Sequence, residues 1–210
     1  FVTYSNDVYD LFRITFKDPL DFSSSEISEH KRFMVSEGTI RLEDVEEVAH
    51  RKLQSGVWNT AFRDKIPFPQ ADSFARVVDL VSLLLNQPLS ASELTEHYGF
   101  DSRQSDYYYN AAKYLGLATS TTDQATQVEA RGPTPEARRI FSLPYREKFL
   151  ALAGLVLSIQ PINQAFSLST TSSNRTTEQS IREIFGKSSE ATYLGYSAST
   201  IERRSQTITA

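Results

Sequence analysis

The stretch GFDSRQSDYYYNAAKYLGL, Gly99 to Leu117, gathers side chains suited to reading nucleic-acid bases. Set in helical phase on its LGL end, it turns Ser105, Tyr108 or Tyr109, Ala112 and Leu115 inward. Arg103, Gln104, Tyr107 and Asn110 then face outward near its N-terminal half. An arginine fork matches guanine O6 and N7, and the amide of glutamine or asparagine matches adenine N6 and N7. Tyrosine hydroxyls reach phosphate oxygens. The N-terminal part of a recognition helix is the part that enters the major groove, so residue types and position agree. The competing reading is a packed helix in a protein-docking domain, with tyrosines filling space.

Two further sets carry phosphate chemistry. Arg131, Arg138 and Arg139 flank a polar hairpin with Asp123 at its turn, and Thr200, Arg203 and Arg204 lie in a C-terminal helix. Each phosphate contact would steepen the salt dependence of binding. A solvated helix face explains either set about as well. Catalytic chemistry is thinly represented. A metal-dependent nuclease needs carboxylates converging on magnesium and a lysine near the attacked phosphate. Only Asp21, Glu29 and Lys31 come near that pattern, with short spacing and a poorly formed strand, and a surface cluster explains them better. His30, His50 and His97 have no metal-binding spacing, and neither a phosphate-binding glycine loop nor GxSxG occurs. Trp58 reads as a core anchor. No cofactor or metal is expected of this chain; Mg2+ would enter only with a nuclease domain.

The elements that must position these groups are legible in caps and periodicity. SFARVVDLVSLLLNQ (73–87) is a strongly apolar helix stopped by Pro88, and Ser90-x-x-Glu93 is a capping box opening SELTEHY, which ends at Gly99. Asp101-x-x-Gln104 opens a helix over 102–115, closed by Gly116. LATSTT and ATQVEA read as strands around Asp123, and Thr134-Pro135-Glu136 starts another helix. YREKFLALAGLVLSI (145–159) is a buried helix, QPINQAFSLS a shorter one, and SIREIFG with Ser199-x-x-Glu202 repeats the helix–turn–helix pattern, giving a second candidate recognition helix over 199–208. Upstream, LFRITF and KRFMV read as strands, LEDVEEVAHRKLQ as a helix ended by Gly56, and PFPQ as a linker.

The expected fold is α+β and mainly helical, with tandem winged helix-turn-helix units behind a small β-containing N-terminal segment. The expected divisions are 1–70, 71–143 and 144–210, the last a helix-turn-helix-like unit cut short at Ala210. Phe1 and the helical ending STIERRSQTITA lead us to expect a piece of a longer protein. The formal charge of −4 disfavours nucleic acid only on its face. Residues 1–100 hold 10 Lys/Arg against 16 Asp/Glu, whereas residues 101–210 hold 12 against 10. Local potential matters more than the total. The longest apolar run, VVDLVSLLL, is far short of a membrane span, no signal peptide is visible, and cysteine is absent. A cytoplasmic location is expected, with no membrane partner.

With these residues in view, SFARVVDLVSLL, LSASELTEHYGFDSRQSDYYYNAAKYLGL, PTPEARRI and STIERRSQTITA together resemble the winged-helix DNA-recognition module of bacterial type II restriction endonucleases and related restriction–modification proteins. The resemblance spans residues 72–210. It implies sequence-specific binding of double-stranded DNA, with Arg103, Gln104, Tyr107 and Asn110 at the reading positions. The nuclease signature of that group is missing, so cleavage would belong to a domain elsewhere in the full protein. Two alternatives stay open: a winged-helix transcription regulator that forms a homodimer, and a protein-interaction winged helix.

Overall fold

The computed structural model describes residues 40–66, 68–71, 73–99, 102–122, 129–171 and 177–209. The strands expected in LFRITF and KRFMV, the cap at Asp101, the turn at Asp123 and the trio Asp21, Glu29 and Lys31 lie outside these residues. The described chain is mainly helical with a small two-stranded antiparallel sheet, an α+β composition.

Helix α1, Leu42–Ser55, has Glu43 and Asp44 in its first turn and Lys52 in its last, the charge order that the helix dipole favours. Asp44 accepts the Arg41 backbone N–H at 2.9 Å and pairs with Arg146 at 2.7 Å, tying α1 to a helix a hundred residues on. A short 3-10 turn, Ala61–Asp64, precedes α2, Phe74–Asn86, in which Val77, Leu80, Val81 and Leu84 are buried. That i, i+3, i+4, i+7 spacing places all four on one face. Helix α3, Ala91–Tyr98, opens with the expected reciprocal cap. Ser90 Oγ accepts the Glu93 N–H at 3.3 Å while Glu93 accepts the Ser90 N–H at 2.7 Å. Gly99, in the left-handed region at φ 61°, turns the chain into α4, Ser102–Tyr114, which packs on both α2 and α3.

Gly116 (φ 72°) redirects the chain into β1, Ala118–Thr122, paired antiparallel with β2, Glu129–Pro133. Of ATQVEA, Glu129 and Ala130 lie among the described residues and both belong to β2, whose ladder continues through Arg131 and Gly132. On the other edge of β2, Leu89 and Arg131 exchange backbone hydrogen bonds of 3.0 and 2.7 Å, stitching the α2–α3 connection to the hairpin. Helix α5, Pro135–Phe141, starts as expected, with Thr134 Oγ1 accepting the Ala137 N–H at 3.1 Å.

The helix expected over 145–159 and the shorter one expected from Gln160 are α6 (Tyr145–Val156) and α7 (Gln160–Thr171), which meet at a 109° bend. Pro161 has no N–H for the Leu157 carbonyl and its ring would clash with it, so α6 cannot continue. Buried Asn163 takes over that role, donating to the Leu157 and Ala49 carbonyls at 3.0 Å each. The chain ends in α8 (Glu178–Gly186), α9 (Ser189–Leu194) and α10 (Ala198–Thr209). Helix α10 is capped by Ser197, whose Oγ accepts the Thr200 N–H at 3.3 Å. Ser199-x-x-Glu202 is therefore not a helix start, and Glu202 instead pairs with Arg182 on α8 at 2.9 Å.

One apolar cluster runs through both expected helical units. It joins Phe68, Leu80, Leu84 and Leu94 to Tyr114, Ile140, Leu152 and Phe185. Each fully buried leucine there contributes about 1.5–3 kcal/mol relative to exposure. Among the described residues, no single helix is long and apolar enough to cross a membrane.

Candidate nucleic-acid interface

Helix α4 buries Ser105, Tyr108, Tyr109, Ala112 and Leu115, so both tyrosines that the sequence left as alternatives face inward. Arg103, Gln104 and Asn110 are exposed and Tyr107 is half-buried on the opposite face. Asp106, an acid to which the sequence reading gave no role, shares the N-terminal part of the helix with its carboxylate about half exposed (51%).

Each member of the tyrosine triplet engages one arginine from a different element. Arg103, on α4 itself, donates from Nε to the Tyr107 hydroxyl at 2.6 Å and lies 5.5 Å from its ring centroid. Arg76, from α2, donates to the Tyr108 hydroxyl at 3.0 Å and lies 5.6 Å from that ring. Arg131, from β2, stacks 4.3 Å from the Tyr109 ring and pairs with Asp106 at 2.5 Å. The YYY run is thus a set of arginine seats, two of which join α4 to its neighbours.

The phosphate candidates divide sharply. The Arg131 side chain is only 15% exposed and spent on Tyr109 and Asp106, so it braces the hairpin against α4. Arg139 is engaged by Glu136 through two hydrogen bonds of 2.8 and 2.6 Å, which hold the Glu136 carboxyl below its ordinary range. Arg138 and Arg203 are exposed. Thr200 is half-buried, its hydroxyl 3.0 Å from Ser197 Oγ. Arg204 turns inward, donating to the Phe68 carbonyl and lying 5.0 Å from the Tyr196 ring. A guanidinium held this way is not available to a phosphate. The cause is helical phase, since α10 presents Ile201, Arg204, Ser205 and Ile208 to the protein and Ser199, Glu202, Arg203 and Gln206 to the outside.

The most elaborate polar site was not foreseen. Glu190 on α9 is buried and accepts the Phe68 N–H at 2.7 Å, the Tyr114 hydroxyl at 2.6 Å and the Tyr196 hydroxyl at 3.1 Å. Burial raises its carboxyl above the ordinary value, opposed by those three donors and the Arg204 charge. Burial and the neighbouring Glu190 likewise raise the Tyr114 phenol, and push Tyr196 up to about 12. This network links the end of α4, the 68–71 segment, α9 and α10. A cavity of about 100 Å³ lies beside it, lined in part by Trp58, Phe62, Ile159 and Pro161. Within SSEATYL, Glu190 looks like an ordinary first-turn acid; its partners stand 76 and 122 residues away.

Among the described residues, no three His, Asp or Glu side chains come together as a metal-binding group. His50 is exposed and bonded to Gln54, and His97 is exposed in the last turn of α3. No curated protein and no solved structure matches the chain. Residues 76–210, from early α2 through α10, match a family described as a domain of unknown function, DUF7226. That span takes in α4, its arginine seats and the Glu190 network apart from Phe68, and on this match the chain belongs to the DUF7226 family.

Proposed function

We propose that residues 71–143 form a winged helix-turn-helix that binds double-stranded DNA sequence-specifically, with α4 as its recognition helix. The observation that carries this reading is the exposed row Arg103, Gln104 and Asn110, with Tyr107, on a helix whose other face is locked into the core. Three helices followed by a hairpin, with Leu89 pairing along the far edge of β2, is the order such a unit requires. Arg103 is matched to guanine, and Gln104 and Asn110 to adenine. Arg138 is the phosphate contact that remains after Arg131 and Arg139 are accounted for.

Helices α8, α9 and α10 repeat the punctuation of α2, α3 and α4. Ser188 caps α9 as Ser90 caps α3, and Gly195 (φ 61°) precedes α10 as Gly99 precedes α4. We read this as the second unit of a tandem, with Arg203 its outward cation. On the resemblance of the sequence, the protein is proposed to be the recognition part of a restriction endonuclease acting in the cytoplasm.

The test is competition binding by fluorescence anisotropy on duplexes selected from a random pool. The double variant Arg103→Ala/Gln104→Ala loses preference among duplexes while weak, salt-sensitive binding remains. Unchanged specificity would sink the reading. A protein-docking winged helix is the second reading, favoured by Asp106 near the reading face and by the internal pairing of Arg131. Absence of any retained duplex at about 50 mM salt, where phosphate contacts are strong, would select it.

A further inference from the structure

Tyr107 stands on the outward side of α4 among residues suited to base edges, and a phosphate contact is the role its type suggests. Its geometry fits a different one. The hydroxyl accepts Arg103 Nε at 2.6 Å, and the guanidinium lies 5.5 Å from the ring centroid. Spacing of i and i+4 stacks the two side chains on one helical face. A hydroxyl that accepts from Nε leaves the two terminal amino groups of Arg103 as a fork, and those are the donors that span guanine O6 and N7. The other two tyrosines of the triplet hold arginines that connect α4 to α2 and β2, whereas Arg103 is exposed and, among the described residues, is joined to its own helix through Tyr107.

We propose that Tyr107 is a positioning residue that pre-orders Arg103 as a guanine-reading fork, so that one guanine in the bound duplex is recognised through the Arg103–Tyr107 pair. The proposal rests on the reading of α4 as a DNA-recognition helix and adds to it the residue that orders Arg103 for guanine. Immobilising a long side chain on binding costs an amount equivalent to roughly two- to tenfold in affinity, and pre-ordering removes that cost. Tyr107→Phe keeps the ring and loses only the acceptor. Because Tyr107 is half-buried at the surface, the substitution leaves the packing of α4 intact.

The experiment uses the full 210-residue chain and a duplex selected by the unaltered protein, in which each guanine is replaced in turn by 7-deazaguanine, which lacks the N7 acceptor. The unaltered protein loses about five- to 100-fold in affinity at one position. In Tyr107→Phe that penalty shrinks by about two- to tenfold, and in Arg103→Ala it vanishes. In the free protein, the Arg103 Nε–Hε NMR signal is motionally restrained, and Tyr107→Phe releases it. A full 7-deazaguanine penalty in Tyr107→Phe overturns the positioning role, as does an Arg103 Nε already mobile in the unaltered protein. Penalties that survive Arg103→Ala, or a protein that retains no duplex, overturn the DNA reading of α4 and this inference with it.

Discussion

Replacing Glu190 by alanine removes the acceptor shared by Phe68 N–H, Tyr114 and Tyr196 and a negative charge that attracts Arg204. Phe68 and Tyr114 are buried, so their donors would be left without a partner, at about 1–3 kcal/mol each. Tyr196 is only partly buried and can turn to water, so it adds little. Removing one partner from a buried charged network costs roughly 3–5 kcal/mol in other proteins, and the two orphaned donors sum to the same range. That is a large share of a domain stability of about 5–15 kcal/mol. Urea unfolding followed by circular dichroism should show a midpoint lowered by on the order of 1–5 M, for an m-value of about 1–3 kcal/mol/M. Glu190→Gln keeps one acceptor and should cost about 1–2 kcal/mol at neutral pH. The pH dependence has a definite sign. Because burial raises the folded-state carboxyl, its contribution is fully present below the ordinary value of 4.5 and is lost as pH rises through the raised one. Wild type should therefore gain stability relative to Glu190→Gln on acidification towards that value. An alanine cost below about 1 kcal/mol, or a gap that narrows on acidification, would refute the reasoning.

Leu94→Ala, at the fully buried centre of α3, should cost about 2–5 kcal/mol by the same unfolding measurement, since neither α2 nor α4 can collapse into the space. Arg131 and Arg138 should separate cleanly. Arg131→Ala loses stacking on Tyr109 and the pair with Asp106, and should lower stability by about 1–3 kcal/mol. Arg138→Ala should leave stability unchanged and lower the slope of log binding constant against log salt by about 1.

Much of the helical frame was readable in local chemistry. Ser90 with Glu93, Thr134 with Pro135, and the turns at Gly99 and Gly116 act within a few residues, and each appears where the sequence placed it. The face of α4 was readable for the same reason, since period alone separates Ser105 and Ala112 from Arg103 and Asn110. What escaped depends on distant partners. Arg204 resembles Arg203 in sequence, and it is helical phase together with the Phe68 carbonyl, 136 residues away, that sets the half-buried cation apart from the exposed one. Glu190 needed Phe68 and Tyr114, and Arg131 needed Asp106 and Tyr109. The break between α6 and α7, by contrast, is local, and it falls where the sequence divides YREKFLALAGLVLSI from QPINQAFSLS, with Pro161 just inside α7.

On the proposed function, duplex DNA lies against the outward face of α4. NMR titration of the labelled chain with the selected duplex at about 50 mM salt, a condition that strengthens phosphate contacts, tests it most directly. The largest amide shifts are expected at Arg103, Gln104, Tyr107 and Asn110, with smaller ones near Arg138. Shifts centred on α1 or confined to α10, or no shifts at all, would contradict it.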